Sequence, residues 1–302
     1  MPSTTRDPTI VEHPIPTCDS RPYILAEGPD GCVWFCESGP GQIGRLDPAN
    51  GAIVEFPLPD PAAVPIGIAA GADGAMWFTQ SAAHKVGRMT MDGAISAFDL
   101  PTPNSGPNGI VLGPDGNIWL AQHAIGGVAR VTPSGQVTEF TGFTPGARPL
   151  APTATATHIW VSDSIASRVA RIDMDGRVAE FPTPRPNSGP RAIVPGPDGN
   201  IWFVLAEGNA IGRVSPSGEM HEFPLPTPNA SPRGIVVARG EIWFTQNLIN
   251  RIGRMSLSGE MLAEYAIPTP GSGPRAMLAM PDGRLFFSQH DIGRIGEIRL
   301  AD

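Results

Sequence analysis

Apolar positions along the chain recur in one fixed order rather than at a sustained helical period. A Pro opens a short apolar run, a Gly-Pro-Asp-Gly type of turn follows, and a Trp-Phe pair begins a second run. The opening prolines are Pro22, Pro65, Pro107, Pro149, Pro190, Pro232 and Pro274, spaced by about 42 residues. That period fits one four-stranded blade of a propeller. The fifth copy shows the unit most clearly. Pro190-Arg191-Ala192-Ile193-Val194 reads as an inner strand, and Gly196-Pro197-Asp198-Gly199 as a tight turn. Ile201-Trp202-Phe203-Val204 and Ala210-Ile211-Gly212-Arg213-Val214 read as the next two strands, and Met220-His221-Glu222-Phe223 as the outer one. Leu225-Pro226-Thr227-Pro228 then crosses to the next copy.

Such sheets are apolar on both faces and need neighbours. The pattern predicts an all-β fold: a single seven-bladed β-propeller of four-stranded antiparallel blades spanning residues 1–302. Trp34, Trp77, Trp119, Trp160, Trp202 and Trp243, with Phe286 in the seventh copy, are the expected fillers between blades. The seventh copy ends at Gly296-Glu297-Ile298-Arg299-Leu300, one strand short. The segment Ile10-Val11-Glu12-His13-Pro14 resembles the outer strand Val54-Glu55-Phe56-Pro57. Residues 1–20 are therefore expected to complete the last blade, closing the ring and hiding its edges.

Composition narrows the chemistry. The formal net charge is −8, which argues against nucleic acid or an anionic membrane as a partner. Lys85 is the sole Lys, so lysine-based chemistry has almost no candidate. Cys18, Cys32 and Cys36 are odd in number and match no zinc spacing, so free thiols are expected. No apolar run is long enough for a membrane span, and Met1–Asp7 lacks a signal pattern. The expected location is cytoplasmic. Asp30, Asp73, Asp115, Asp198 and Asp282 each precede Gly and read as turn residues rather than calcium ligands. Arg45, Arg88, Arg130, Arg171, Arg213 and Arg254 recur in the third strand and read as local surface pairs.

Positions that differ between copies point to a site. Two positions per blade are expected to line the central funnel: the residue after the opening Pro, and the end of the Trp strand. The pairs are Tyr23 and Glu37; Ile66 and Gln80; Asn108 with Gln122 and His123; Leu150 and Asp163; Arg191 and Leu205; Arg233 and Gln246; Arg275 with Gln289 and His290. Arg191, Arg233 and Arg275 stand in successive blades and suit a carboxylate or phosphate. The alternative is that they pair with Glu37 and Asp163 or face water. His290 is the candidate acid/base, against the reading of an exposed loop His. The expected partner is a small anionic molecule, with no metal assigned.

The runs Gly106-Pro107-Asn108-Gly109-Ile110 and Glu222-Phe223-Pro224-Leu225-Pro226-Thr227-Pro228 resemble the streptogramin B lyases (virginiamycin B lyase family) over nearly the whole chain. The resemblance implies a seven-bladed propeller that opens a cyclic depsipeptide by elimination at its ester bond with Mg²⁺. It implies His after the opening Pro of the last two blades, where Arg233 and Arg275 stand. It implies Glu before the last opening Pro, where Gly273 stands, and a second Glu at His290 or Gln289. The Mg²⁺ ligands are thus not matched. Three readings follow: a divergent enzyme on a small anionic molecule using Arg191, Arg233, Arg275 and His290; a genuine streptogramin B lyase with a rearranged site; and a non-catalytic binding propeller.

Overall fold

Each Pro-to-Pro interval folds into one four-stranded antiparallel sheet, and seven such sheets form a ring. The computed structural model describes residues 7–300; residues 1–6 of the expected N-terminal segment lie outside that range. In the fifth blade the strands are Pro190–Pro195, Ile201–Leu205, Ala210–Val214 and Met220–Pro224, hydrogen-bonded in chain order. The last blade is composite. Thr9–Pro14 pairs antiparallel with Arg294–Arg299, from Thr9 opposite Arg299 to Pro14 opposite Arg294. Both chain ends are thereby tied into one sheet.

The second strand of every blade is buried, apart from Glu241 at the start of the blade-six strand, which explains its apolar run. Its aromatic residue packs between blades. Trp34, for example, shares a cluster with Ile68, Met76 and Phe78 of the next sheet. It also stacks on an outer-strand ring of its own sheet, as Trp202 does on Phe223 at 5.5 Å between centroids. The recurring Arg covers this pair: Arg213 Cζ lies 5.4 Å from the Trp202 ring. The turn Asp does more than turn the chain. Asp73 accepts from Trp77 Nε1 at 3.1 Å and from Arg88 Nε at 2.7 Å. The Phe after the Trp lies over the third-strand Gly. A Cβ on Gly212 would sit 2.2 Å from the Phe203 ring, so the Ile-Gly-Arg motif needs glycine there.

In blades three, six and seven the Glu-Phe and Pro-Thr-Pro elements of the repeat clamp the blade to the connection that enters it. Thr102 Oγ1 donates to Glu139 at 2.6 Å, Thr227 to Glu264 at 2.8 Å and Thr269 to Glu12 at 2.7 Å. Among the described residues no helix is long and apolar enough to cross a membrane.

Candidate functional site

All seven inner strands carry the same irregularity. In each, the register shifts between the opening Pro and the third residue beyond it, as between Pro22, opposite Glu37, and Leu25, opposite Phe35. Two residues of the inner strand thus face one of its partner. Such a bulge bends the strand and re-aims a side chain. Here it turns the residue after Pro toward the axis. Tyr23, Asn108, Leu150, Arg191, Arg233 and Arg275 line one axial cavity of about 190 Å³. Ile24, Ile110, Pro152, Ile193, Ile235 and Met277 give it apolar walls.

The three arginines line this cavity, and one of them has a carboxylate partner. Arg191 Nη2 donates to Glu207 Oε1 at 2.8 Å. Neither Glu37 nor Asp163 pairs with them. The Nε atoms of Arg191, Arg233 and Arg275 are buried without a protein partner. Burial, then the Arg191 and Arg275 charges, push Arg233 below its ordinary value. The guanidinium stays charged, so this shift records a concentration of positive field. Buried donors held under like-charge repulsion are poised for an anion.

Tyr23 links the arginines to His290. Arg275 Cζ lies 5.2 Å from the Tyr23 ring, and the His290 ring meets Tyr23 edge-on at 5.6 Å. His290 Nδ1 lies 3.2 Å from the Pro22 carbonyl oxygen. A carbonyl only accepts, so Nδ1 carries the hydrogen and the neutral ring keeps Nε2 as its basic atom. Burial, then the Arg275 charge, lowers the His290 pKa from its ordinary 6.5. The imidazole is therefore half-buried and neutral near pH 7, not an open loop side chain.

His290 has structural counterparts. His123 Nδ1 lies 3.3 Å from the Pro149 carbonyl, and Asn247 Nδ2 donates to the Pro274 carbonyl at 3.1 Å. All three latch one blade to the opening Pro of the next. Only His290 combines the latch with an aromatic and a cationic neighbour from the funnel.

The strand-end residues go elsewhere. Each pairs with the opening Pro rather than with the residue after it, and the bulge separates the two. None of Glu37, Gln80, Gln122, Asp163, Leu205, Gln246 or Gln289 lines the funnel cavity, and neither do Ile66, His123 and His290; His290 reaches it through its contact with the lining residue Tyr23. Gln122, Gln246 and Gln289 donate to the outer-strand carboxylates of Glu139, Glu264 and Glu12 at 2.5, 3.0 and 2.6 Å. Glu37 accepts from Gln42 at 3.0 Å, and Asp163 accepts from the Ala166 amide at 3.0 Å. Gln80 lines a separate shallow pocket with Asp60 and Lys85.

Two acids beside the site escaped the repeat reading, Glu207 and Asp291. Each lies two residues past the end of a Trp-type strand, and each carboxylate covers the Gly before the opening Pro. A Cβ on Gly189 would touch Glu207, and one on Gly273 would lie 2.1 Å from Asp291 Oδ2. Their equal offset in blades five and seven was the available signal. Position 273, where the resemblance implies Glu, thus holds a Gly under a neighbouring carboxylate. The implied Mg²⁺ does not fit these residues: the funnel donors are guanidiniums, which repel cations. Among the described residues no cluster of three or more His, Cys, Asp or Glu could hold a metal.

The sequence profile described as the virginiamycin B lyase family matches residues 3–158 and 153–302. A solved streptogramin B lyase structure is 32% identical with a TM-score of 0.92, covering 97% of this chain and 98% of that one. Virginiamycin B lyase from Staphylococcus aureus is 34% identical with a TM-score of 0.92, covering 97% and 100%. A catalytically inactive form of the Staphylococcus aureus enzyme with quinupristin is 33% identical, with the same TM-score of 0.92 and the same coverage of 97% and 100%. No curated protein matches the chain.

Proposed function

The chain belongs to the virginiamycin B lyase family, and from that premise we propose that it is a divergent enzyme of the family acting on a small anionic molecule held in the funnel. One observation carries this reading: Arg191, Arg233 and Arg275 line one cavity with their buried Nε atoms unpartnered. Glu207 offsets one of the three charges, which leaves room for about two negative charges on the ligand. The apolar walls take the uncharged part of the molecule.

In this reading His290 Nε2 removes a proton from carbon next to the bound anionic group. The electron pair left behind is stabilised by the adjacent guanidiniums. It then either expels a leaving group, forming a double bond, or returns to a second carbon that takes the proton back. The first outcome is elimination and the second is isomerisation. The Pro22 carbonyl fixes the tautomer, and the lowered pKa keeps Nε2 free at neutral pH. Genuine streptogramin B lyase activity is the second reading, favoured by the 32–34% identity to solved lyases. Against it stand Arg233 and Arg275, which have no basic atom to offer near pH 7.

Thermal unfolding with succinate or inorganic phosphate, at ionic strength matched with chloride, tests the anion site. Both dianions are expected to raise Tm in a saturable way that follows the linkage term RT ln(1 + [L]/Kd). An unchanged Tm at concentrations of about 50 mM would mean the funnel does not bind such anions.

A further inference from the structure

On the opposite, tight-turn face, blade four differs from the other six. In the other six blades a carboxylate stands where the second-strand aromatic meets the third strand. Asp30, Asp73, Asp115 and Asp198 accept from the indole N–H of Trp34, Trp77, Trp119 and Trp202 at 3.0, 3.1, 3.0 and 3.2 Å. Asp30 and Asp73 also bind Arg45 and Arg88 at 2.6 and 2.7 Å. In blade six Glu241 takes Arg254 at 2.6 and 2.7 Å. In blade seven Glu297 replaces the third-strand Arg and meets Arg299 and His13.

Blade four alone has no such carboxylate. Its turn is Thr155-Ala156-Thr157-His158, and Ala156 stands four residues before Trp160, where the Asp stands elsewhere. Among the described residues nothing accepts from Trp160 Nε1, and Arg171 has no carboxylate partner. One Arg171 N–H donates to the Pro216 carbonyl at 2.6 Å. The guanidinium is stacked, with Cζ 5.7 Å from the Trp160 ring and 5.8 Å from Phe181, and its other N–H groups remain. Beside them is a hollow of about 500 Å³, walled by Pro195, Ile201, Asn200 and Pro216 as well as His158, with no Asp or Glu in its lining.

We infer that this hollow is a receptor for the carboxylate of a small organic acid. The ligand carboxylate takes the place that Asp73 holds in its own blade. It accepts from Trp160 Nε1 and from Arg171, while its apolar body rests on Pro195 and Pro216. The Arg is already held by stacking and by the Pro216 carbonyl, so little ordering is required on binding. The site does not depend on the funnel.

Benzoate titrated into the ¹⁵N-labelled full chain tests this, with the Trp160 indole resonance assigned by Trp160→Phe. The Trp160 indole signal is expected to move saturably with benzoate and to stay still with neutral benzamide. Arg171→Gln abolishes the shift, whereas Arg213→Gln, at the same position of blade five, and Arg233→Met, in the funnel, leave it intact. Ala156→Asp, which supplies an internal carboxylate, weakens benzoate binding by about tenfold or more. The dispersion of the other indole signals shows whether each variant is folded. A still Trp160 signal up to about 50 mM benzoate, or equal shifts with benzamide or in a folded Arg171→Gln, overturns the proposal.

Discussion

Replacing Glu37 by Gln should make the protein more stable, by an amount that grows with pH. Glu37 is fully buried at 0% exposure, at a position where blades two, three, six and seven have Gln. Burial drives its pKa up from 4.5 to about 8; the Gln42 hydrogen bond opposes this and the neighbouring Glu55 carboxylate adds to it. Between those two values the folded protein holds a proton that the unfolded chain has released. Stability contributed by this group is therefore full below pH 4.5 and is lost as pH rises toward about 8. At about 1.4 kcal/mol per pH unit, the loss at pH 7 is about 3 kcal/mol. Gln has no proton to lose, and its amide donates to Glu55 as Gln246 does to Glu264. Guanidinium unfolding of both proteins measures the effect. The stability gap between variant and wild type should widen by about 3 kcal/mol from about pH 5 to about pH 8. A gap that stays constant, or narrows, would refute a protonated Glu37 in the folded state.

His290→Asn keeps the latch to Pro22, as Asn247 shows at Pro274, so unfolding should shift by less than about 1 kcal/mol. For any anion the wild type turns over, the same change should lower kcat by about 10²–10⁴, while His123→Asn leaves kcat unchanged. Because the His290 pKa of the free protein is lowered from 6.5, wild-type kcat/KM should rise with pH and level off before neutrality; a rise centred above 6.5 contradicts that base. Quinupristin incubated with the protein and Mg²⁺ should be recovered intact by mass spectrometry. A ring-opened product of unchanged mass would favour the second reading.

The ring was legible because the opening Pro returns at the same phase seven times, with Trp following it in six copies and Phe286 in the seventh, and because Ile10–Pro14 carries the outer-strand pattern the last blade lacks. The arginine trio was legible for the same reason: equal phase puts Arg191, Arg233 and Arg275 at equal radius. The bulge was not legible. Gly67, Gly109 and Gly234 stand in it in blades two, three and six, but in blade one it inserts a residue between Pro22 and Leu25 without any Gly, and it sends Tyr23 to the axis while Glu37 stays within the blade. Gln122 and Gln289 therefore looked like funnel residues although they serve the outer-strand Glu139 and Glu12. Glu207 and Asp291 sit in loops, where position along the chain says little about direction in space. The turn aspartates looked purely local because their partners, Trp77 and Arg88 for Asp73, are fixed only once the strands pair.

Isothermal titration of succinate into the wild type and into Arg233→Met tests the funnel most directly. Removing Arg233 also removes its repulsion with Arg191 and Arg275, so the variant should fold at least as well as the wild type. The account predicts saturable binding that weakens with added salt, and a loss of about tenfold or more in the variant. Equal affinity in both proteins, with the variant folded, would contradict an anion site built on the three guanidiniums.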